Sequence, residues 1–505
     1  MKVLIILGHP RQASFSEALA AAYKAGAISA RMEVRELVLR KMAFDLNVST
    51  VSPRQQWMEQ DVREAQQLIQ WADHLVFVYP TWWGTMPALL KGFLDRVFTP
   101  GFAFEEIEEN QSWEKLLKGK SAQLITTMDT PLWVYRWIYK NPGHNALGEA
   151  TLQFCGVKPV RTLSFSPVKY SSAEQRQNWL EKSRQAGLSL ENGVLTPWEN
   201  VKSRLQTGLK AMRLQFYPMT WIAYAAGAYG ASRLGYGFDT LVFWIGYLWL
   251  FLLELATVLS NDYFDLETDR LNKFYSPFTG GSRVLVDNDL SPGRVRHAII
   301  AILGISLITG AVLLGLSPAP SITLLGLFFF LYVTALGYTV PPLKFSYRGL
   351  GELDVGITHS LAVILCGYVF QGGNVFDAFP WLLSVPLFLA IIPSIILAGI
   401  PDHAADKAAG KHTIPVLLGK KNAVILAIVF TALAAIAGAG WRFFQVLPGV
   451  YGHAIYGVIP HAFIQILLLT KYYREPSPPA RIDKLMIISL CYVIWFALIP
   501  LLRLT

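Results

Sequence analysis

The sequence predicts two fold classes in series: an α/β doubly wound parallel sheet over residues 1–190, then an all-α bundle of nine transmembrane helices over residues 213–505. Three observations predict it. Short apolar runs alternate with helix-like patterns up to about residue 190, the signature of a doubly wound sheet. From about residue 215 the chain is dominated by apolar runs near 20 residues, the length needed to cross a bilayer. Lys and Arg then collect in alternate loops between those runs. With 505 residues the chain exceeds one ordinary domain. Its mean hydropathy of +0.37 averages a soluble part and a membrane part.

In the first part, the strand candidates are Val3–Leu7, Val34–Leu39, Leu75–Val78, Ala122–Thr126 and Val160–Phe165, with a helical stretch from Ser16 and further helical patterns between them. Five such strands fit the flavodoxin-like order, which binds its ligand at the carboxyl ends of the strands. Met1-Lys2 leads directly into Val3–Gly8, too short for a secretory h-region and without a small-residue cleavage site, so this part is expected in the cytosol. The three cysteines, Cys155, Cys366 and Cys491, lie far apart with no CxxC spacing, which suggests neither a disulfide framework nor a zinc site.

Residues 191–212 read as a linker with turn signals at Glu191-Asn192-Gly193 and Thr196-Pro197-Trp198. The piece from Val201 through Lys202, Arg204, Lys210 and Arg213 fits an amphipathic helix on the membrane surface, its basic residues facing anionic headgroups, and equally a solvated linker helix. Nine spans follow, near 214–231, 240–260, 298–316, 321–338, 354–370, 379–399, 422–440, 450–470 and 485–502. With a cytosolic N-terminus, the loops after the second, fourth, sixth and eighth spans hold 15 Lys and Arg, against Arg233, Arg442 and Arg503 on the other side. That bias orients the bundle. It also accounts for the net charge of +9 without invoking nucleic acid.

Two acidic clusters end apolar runs on the cytosolic side. Asn261, Asp262, Asp265 and Asp269 form one, and on a helix Asn261, Asp265 and Asp269 share a face at i, i+4 and i+8. Asp402 and Asp406 repeat the device at i and i+4. Carboxylates gathered in one cavity repel unless a cation sits between them. Hard oxygen ligands, an amide and a phosphate-bearing substrate form a set that Mg²⁺ accepts. A cation transporter is the competing reading, because intramembrane acids also mark ion paths.

Over roughly residues 205–505 the chain resembles the UbiA superfamily of intramembrane prenyltransferases. The resemblance rests on the NDxxDxxxD run at 261–269, on Asp402-His403-Ala404-Ala405-Asp406 with Gly410–Gly419 after it, on Gly281-Ser282-Arg283-Val284-Leu285, and on Tyr338–Lys344 with Tyr347–Glu352. It implies that a polyprenyl diphosphate donates its chain to an aromatic acceptor. It implies Mg²⁺ ligation by Asn261, Asp265, Asp269, Asp402 and Asp406, with Asp262 either a ligand or a group that orients one. Arg283, Lys344 and Lys411 would bring charge to the diphosphate, or serve only as topology-setting residues. The Tyr338–Glu352 run looks most like members that prenylate 1,4-dihydroxy-2-naphthoate in menaquinone synthesis.

Residues 1–190 resemble flavodoxin-like NAD(P)H:quinone oxidoreductases of the diaphorase type, on Gly8-His9-Pro10-Arg11-Gln12-Ala13-Ser14-Phe15-Ser16 and on the run Tyr79–Phe98. The resemblance implies a flavin, FMN or FAD, with NAD(P)H as reductant. The loop holding His9, Ser14, Phe15 and Ser16 would take the flavin phosphate at a helix N-terminus. Pro80, Thr81, Trp82, Trp83 and Gly84 would support the ring system, the two tryptophans being either ligand wall or core. The third flavin loop departs from relatives, which carry Thr-Thr-Gly-Gly there: it reads Thr126-Thr127-Met128-Asp129-Thr130-Pro131, with Tyr135 and His144 downstream as candidates to assist hydride transfer. Losing both glycines removes freedom for close backbone approach. The half therefore reads either as an active reductase or as a degenerate docking module.

A physical link joins the halves. Cation attack needs an electron-rich ring such as a hydroquinone, so a tethered reductase would supply the acceptor in reactive form. The expected setting is the cytoplasmic membrane, multi-pass, with a lipid bilayer, a prenyl diphosphate and a quinol as partners and no nucleic acid.

Overall fold

The computed structural model describes residues 1–107, 112–194, 197–276, 278–476, 478–479 and 481–505; Thr196, one of the linker turn signals, lies outside them. The chain divides into two compact units, Met1–Val201 and Lys202–Thr505.

The first unit is built on β1 (Lys2–Leu7), β2 (Glu33–Val38), β3 (His74–Pro80), β4 (Phe104–Ile107), β5 (Ser112–Lys115), β6 (Ser121–Thr127) and β7 (Val160–Phe165). Five form one parallel sheet in the order β2-β1-β3-β6-β7, the doubly wound arrangement with its switch point between β1 and β3. β3 and β6 are buried at every position, as strands covered on both faces must be. Helix α1 (Phe15–Ser29) starts where the Ser14 hydroxyl accepts from Glu17 N at 3.2 Å, an N-cap. The β4–β5 antiparallel hairpin is an insertion that the sequence reading missed. Its short strands carry Glu and Lys and have no long apolar run to announce them.

In the second unit, helices cover all nine expected spans. Among the described residues, seven are long and apolar enough to cross a membrane: Thr240–Phe264, Pro292–Leu316, Gly351–Phe370, Ala378–Ala408, Ile414–Phe443, His453–Arg474 and Asp483–Leu504. The protein is thus a multi-pass membrane protein. Two expected spans fall short of that standard: Ser321–Gly337 is apolar but has 17 residues, and Tyr217–Arg233 also has 17 and is rich in Ala, Gly and Tyr. Gly227 and Gly367 make the contact between Tyr217–Arg233 and Val363–Phe370 possible. A Cβ on either would stand 2.1 or 2.0 Å from a carbonyl oxygen of the opposite helix.

The linker contains the helix Pro197–Met212, with Trp198, Val201, Leu205 and Leu209 exposed. Two of its basic residues make contacts within the protein. Lys210 pairs with Asp287 and Asp289 at 3.0 and 2.9 Å, and Arg213 donates to the Phe278 carbonyl at 3.3 Å. Both contact the loop that follows Thr240–Phe264, and the charge of Arg213 also reaches Asp262 and Asp402.

Candidate active sites

The first site gathers at the carboxyl ends of β1, β3 and β6. The loop after β1 carries His9, which is buried; its Nδ1 accepts from Arg11 N at 3.0 Å, and its ring meets Trp82 edge-on at 5.7 Å. Burial, then the charges of Arg11 and Arg40, hold the His9 pKa below its usual value. Ser14 is engaged in capping α1, and Ser16 lies within 3.4 Å of the Thr127 hydroxyl. The Phe15 side chain packs on Trp179 in the core, so only its backbone at the helix start remains for a ligand. Arg40 pairs with Glu17 at 2.8 Å, which in turn accepts from Ala13 N, while its buried Nε and Nη1 have no partner. A helix N-terminus beside an under-used guanidinium suits an anionic phosphate.

After β3 ends at Pro80, Thr81 N donates to Thr127 O at 2.7 Å, tying this loop to β6. Trp82 and Thr85 then exchange two backbone hydrogen bonds, at 2.8 and 3.0 Å, around Trp83 and Gly84. Both central residues have positive φ, +51° and +77°, as a type I′ turn requires. Trp83 is fully exposed at the tip and Trp82 is half-exposed, which excludes the core-packing alternative for both.

Tyr135 and His144 are brought together. Their rings meet edge-on at 5.0 Å. The Tyr135 hydroxyl donates to Gly84 O at 3.0 Å and accepts from Gly143 N at 2.9 Å, which fixes the pair against the tryptophan turn. His144 Nε2 lies 3.2 Å from the Thr126 hydroxyl and 3.3 Å from that of Ser164. Burial, then Arg136, push the His144 pKa down to about 4, so it is neutral at pH 7, and burial raises that of Tyr135. The positions of the absent glycines do not adopt a left-handed backbone. Met128, Asp129 and Thr130 have no positive φ; the left-handed residues are Lys140 and Asn141 instead.

The second site lies within the membrane unit. Helix Thr240–Phe264 stops at Asp265, and Leu266–Leu271 follows, so the expected single helix is broken. The stack survives the break, because Asp265 N donates to Asn261 O at 2.9 Å and Asp269 N to Asp265 O at 2.8 Å. Asp262, Asp265 and Asp269 are all buried, and Asn261 is partly so. The loop Gly280–Arg283 closes over them. A Cβ on Gly281, at φ +69°, would stand 2.1 Å from Asp269 Oδ2 and 3.1 Å from Asp262 Oδ1. Ser282 donates to Asp262 from its backbone N, at 3.1 Å, and from its hydroxyl.

The second acidic pair comes from the end of Ala378–Ala408. Asp402 accepts from Asn272 Nδ2 at 2.7 Å, and Asp406 lies 3.4 Å from the Thr413 hydroxyl. That helix ends in a Schellman motif: Gly410 has φ +74°, Lys411 N donates to Asp406 O at 2.9 Å and Gly410 N to Lys407 O at 3.3 Å. The reversal turns Lys411 inward. Its buried ammonium bonds Asp265 at 2.7 Å, lies 3.7 Å from Asp406, and sits 5.2 Å from the Tyr347 ring. Tyr347 donates to the other Asp265 oxygen at 2.9 Å and carries Lys344 over its ring at 4.5 Å. Arg283 donates to the Asp269 carbonyl at 3.0 Å and stacks on Tyr275 at 3.9 Å, its Nε without a hydrogen-bond partner.

The positive groups do not match the negative ones in number: Lys411 pairs with Asp265 and Asp406, the charge of Arg213 reaches Asp262 and Asp402, and Arg283 donates to a backbone carbonyl and lies 3.9 Å from Asp287. Burial first, then Asp262 and Asp265, push the Asp269 pKa up to about 8. Burial alone would lower the Lys411 pKa, but Asp265 and Asp406 outweigh it and hold it well above the usual value. Among the described residues no three His, Cys, Asp or Glu side chains converge tightly enough to hold one metal ion. Mg²⁺ does not require that, since it binds through one or two carboxylates with waters and substrate phosphates completing its shell. All-oxygen donors with surplus negative charge fit that ion. Ser282, Asn272, Tyr347 and Thr413 were not among the expected site residues; they lie up to 148 positions from Asp265, and although three of them fall inside the quoted runs, nothing in their spacing marked them as contacts of the acids.

The fold and these sites define a class: a doubly wound α/β unit with a loop-built ligand site, joined to a multi-pass helical unit with a buried acid cluster at its span ends. The profile of the UbiA prenyltransferase family matches residues 216–491, more than half of the chain, and the chain belongs to that family; the flavodoxin-like fold profile matches residues 1–186. A protein of Haemophilus influenzae, named as an uncharacterized NAD(P)H oxidoreductase, is 28% identical over 37% of this chain and 93% of its own length. The 1,4-dihydroxy-2-naphthoate octaprenyltransferase of Bacillus subtilis is 28% identical over 37% of this chain and 58% of its own. A solved NAD(P)H:quinone oxidoreductase from Methanothermobacter marburgensis is 27% identical over 38% of this chain and 98% of its own, with a TM-score of 0.35. The first curated relative matched is spanned over 57% of its own length, and several others over 54–58%. The chain is a fusion of an NAD(P)H oxidoreductase-type flavodoxin-like part and a UbiA part.

Proposed function

We propose that the membrane unit transfers a polyprenyl group from an allylic diphosphate to an aromatic quinol, of the 1,4-dihydroxy-2-naphthoate kind, on the cytosolic side of the cytoplasmic membrane, in nine spans. The observation that carries this reading is a cluster of five carboxylates from two span ends, two of which, Asp265 and Asp406, share one buried ammonium. Asn261, Asp265, Asp269, Asp402 and Asp406 would hold Mg²⁺, with Asp262 fixed by Ser282 as an orienting or ligating group. The metal supplies electrostatic stabilisation to the departing diphosphate. Arg283 and Lys344 offer further positive charge at the rim, and Lys411, released from Asp265, is placed to follow the same anion. The surrounding apolar helices keep water from quenching the allylic cation.

The soluble unit, on this reading, binds FMN or FAD with its phosphate at the Gly8–Ser16 loop and its ring against the Pro80–Gly84 turn. A bound flavin would pass hydride from NAD(P)H to the quinone, and Tyr135, anchored to Gly84 and Gly143, would hold His144 beside that ring. The reductase reading is supported by the Tyr135–His144 pair seated against the tryptophan turn. Tethering raises the local concentration of quinol at the prenylating unit. Purified full-length protein given NAD(P)H, Mg²⁺, a prenyl diphosphate and a naphthoquinone is expected to yield prenylated quinol by mass. Equal product from the quinone without NAD(P)H would falsify the coupling.

A further inference from the structure

Inside the membrane unit a second polar cluster lies apart from the acids just described. Glu254 interrupts Leu252, Leu253 and Leu255 in the helix Thr240–Phe264. Its side chain is 12% exposed, and Oε2 is buried with no hydrogen-bond partner. His359 Nε2, from another helix, lies 3.9 Å from Oε1. Tyr217 and Thr220, from a third, interact with the same carboxylate electrostatically, yet both hydroxyls are buried and make no hydrogen bond of normal geometry.

The cluster is short of one partner. His359 Nδ1 lies 3.2 Å from the Val355 carbonyl and 3.1 Å from the Thr358 hydroxyl; with its proton on Nδ1 toward Val355, Nε2 faces Glu254 as an acceptor. Glu254 Oε2 and the Tyr217 and Thr220 hydroxyls are likewise buried without a hydrogen-bond partner, so the cluster holds several polar atoms that a ligand hydroxyl could satisfy. Ionisable residues within membrane helices are rare and mark sites of function. The helix sets the distance to the acid cluster. Glu254 precedes Asn261 by seven residues, nearly two full turns, which puts both on one face about 10 Å apart. No break intervenes before Asp265. A bicyclic aromatic ring with a hydroxyl group has about that reach.

We propose that Glu254, with His359, forms the subsite for a hydroxyaryl acceptor: the carboxylate accepts the hydrogen bond of a ring hydroxyl and holds the ring's far edge toward the acid cluster. The assignment rests on the prenyl-transfer reading for its chemistry. As the new C–C bond forms, the C1–O bond of the prenyl diphosphate breaks and the diphosphate leaves with the bonding pair. Positive charge develops on the ring hydroxyl, and Glu254 takes its proton. The neutral dienone then becomes aromatic again as the proton on the attacked carbon leaves to water and Glu254 returns its own to the ring oxygen.

The test uses detergent-solubilised full-length protein, with 1-naphthol and 1-methoxynaphthalene as fluorescent probes of equal ring size. Wild type is expected to bind the naphthol at least tenfold tighter than its methyl ether. Glu254→Gln is expected to erase that preference, Glu254→Asp to keep part of it, and neither to change Mg²⁺-dependent binding of a prenyl diphosphate. Equal binding of the two probes by wild type overturns the subsite, as does a full preference retained in Glu254→Gln. Should Glu254→Gln fail to fold in a thermal melt, His359→Gln and Glu254→Asp carry the same comparison. The two readings separate cleanly. Lost preference with no prenylated product from wild type leaves the subsite and removes the transferase. Product formed with unaltered acceptor kinetics in Glu254→Gln removes the subsite alone.

Discussion

The two candidate sites solve the problem of holding a ligand in opposite ways. At the ends of β1, β3 and β6 the work is done by backbone shape and neutral groups: a capped helix, a positive-φ turn at Trp83-Gly84, and a Tyr135–His144 pair whose hydrogen bonds are already made. In the membrane unit the site is held in electrostatic tension, with Asp262, Asp265 and Asp269 buried beside Lys411. The first arrangement is stable as it stands and waits for a ligand to fill it. The second, on the proposed reading, is completed by added positive charge. Removing a residue should therefore act locally in the first and change the charge balance of the whole cluster in the second.

The largest expected effect follows from that. Asp265 holds Lys411 through one oxygen and Tyr347 through the other, so Asp265→Asn is expected to lower prenyl transfer by about 10³-fold, on the scale of lost transition-state stabilisation. NAD(P)H oxidation should stay unchanged in the same protein. A parallel fall in both activities would sink the division of labour. Next, Tyr135→Phe with His144→Ala is expected to slow quinone reduction about 10²-fold. Prenylation of a chemically reduced quinol should continue at the wild-type rate, since no group of the membrane site is touched.

The third prediction concerns Lys411 itself. Its ammonium is buried among carboxylates, and deleting one partner of a buried pair costs about 3–5 kcal/mol because the other charge is left behind. Lys411→Met should therefore melt lower than wild type in EDTA. If divalent cations compete with the ammonium for Asp265 and Asp406, Mg²⁺ should raise the variant's Tm more than the wild type's. Equal Mg²⁺ shifts in the two proteins would show that the ion does not enter here.

What could be read in advance differs between the halves for physical reasons. Strands buried on both faces, such as Leu75–Val78 and Ala122–Thr126, announce themselves as apolar runs, and the acids at 261–269 and 402–406 stand out because charge at the end of such a run is costly. Loop closure leaves no such trace. Ser282 and Asn272 reach Asp262 and Asp402 only because the 272–283 loop folds back, and Lys411 points inward because Gly410 ends a helix in a left-handed turn. The Tyr135–His144 pairing was obscured for a similar reason: the two left-handed residues that set its register, Lys140 and Asn141, are not glycines. Glu254 is a different case. One acid within an apolar span was a signal, overshadowed by the denser clusters at the span ends.

The smallest effect tests how far the neutral design extends beneath the redox site. His74 in β3 is buried between the Tyr23 hydroxyl, 3.1 Å from Nε2, and the Ser121 hydroxyl, 2.7 Å from Nδ1. Burial, then the charge of Arg161, push its pKa down to about 4 from 6.5. Above pH 6.5 neither the folded nor the unfolded chain protonates this ring, and its contribution to stability is fully present. As pH falls from 6.5 toward 4, the unfolded chain binds a proton that the folded one refuses, so stability declines. The whole shift corresponds to about 3 kcal/mol, or several degrees of Tm for a unit of this size. Hydrogen exchange of β1, β3 and β6 in the full-length protein should show that decline in wild type, and His74→Gln should flatten it. A slope unchanged in the variant would move the acid sensitivity of this half to His9 or His144, at the ligand end of the sheet.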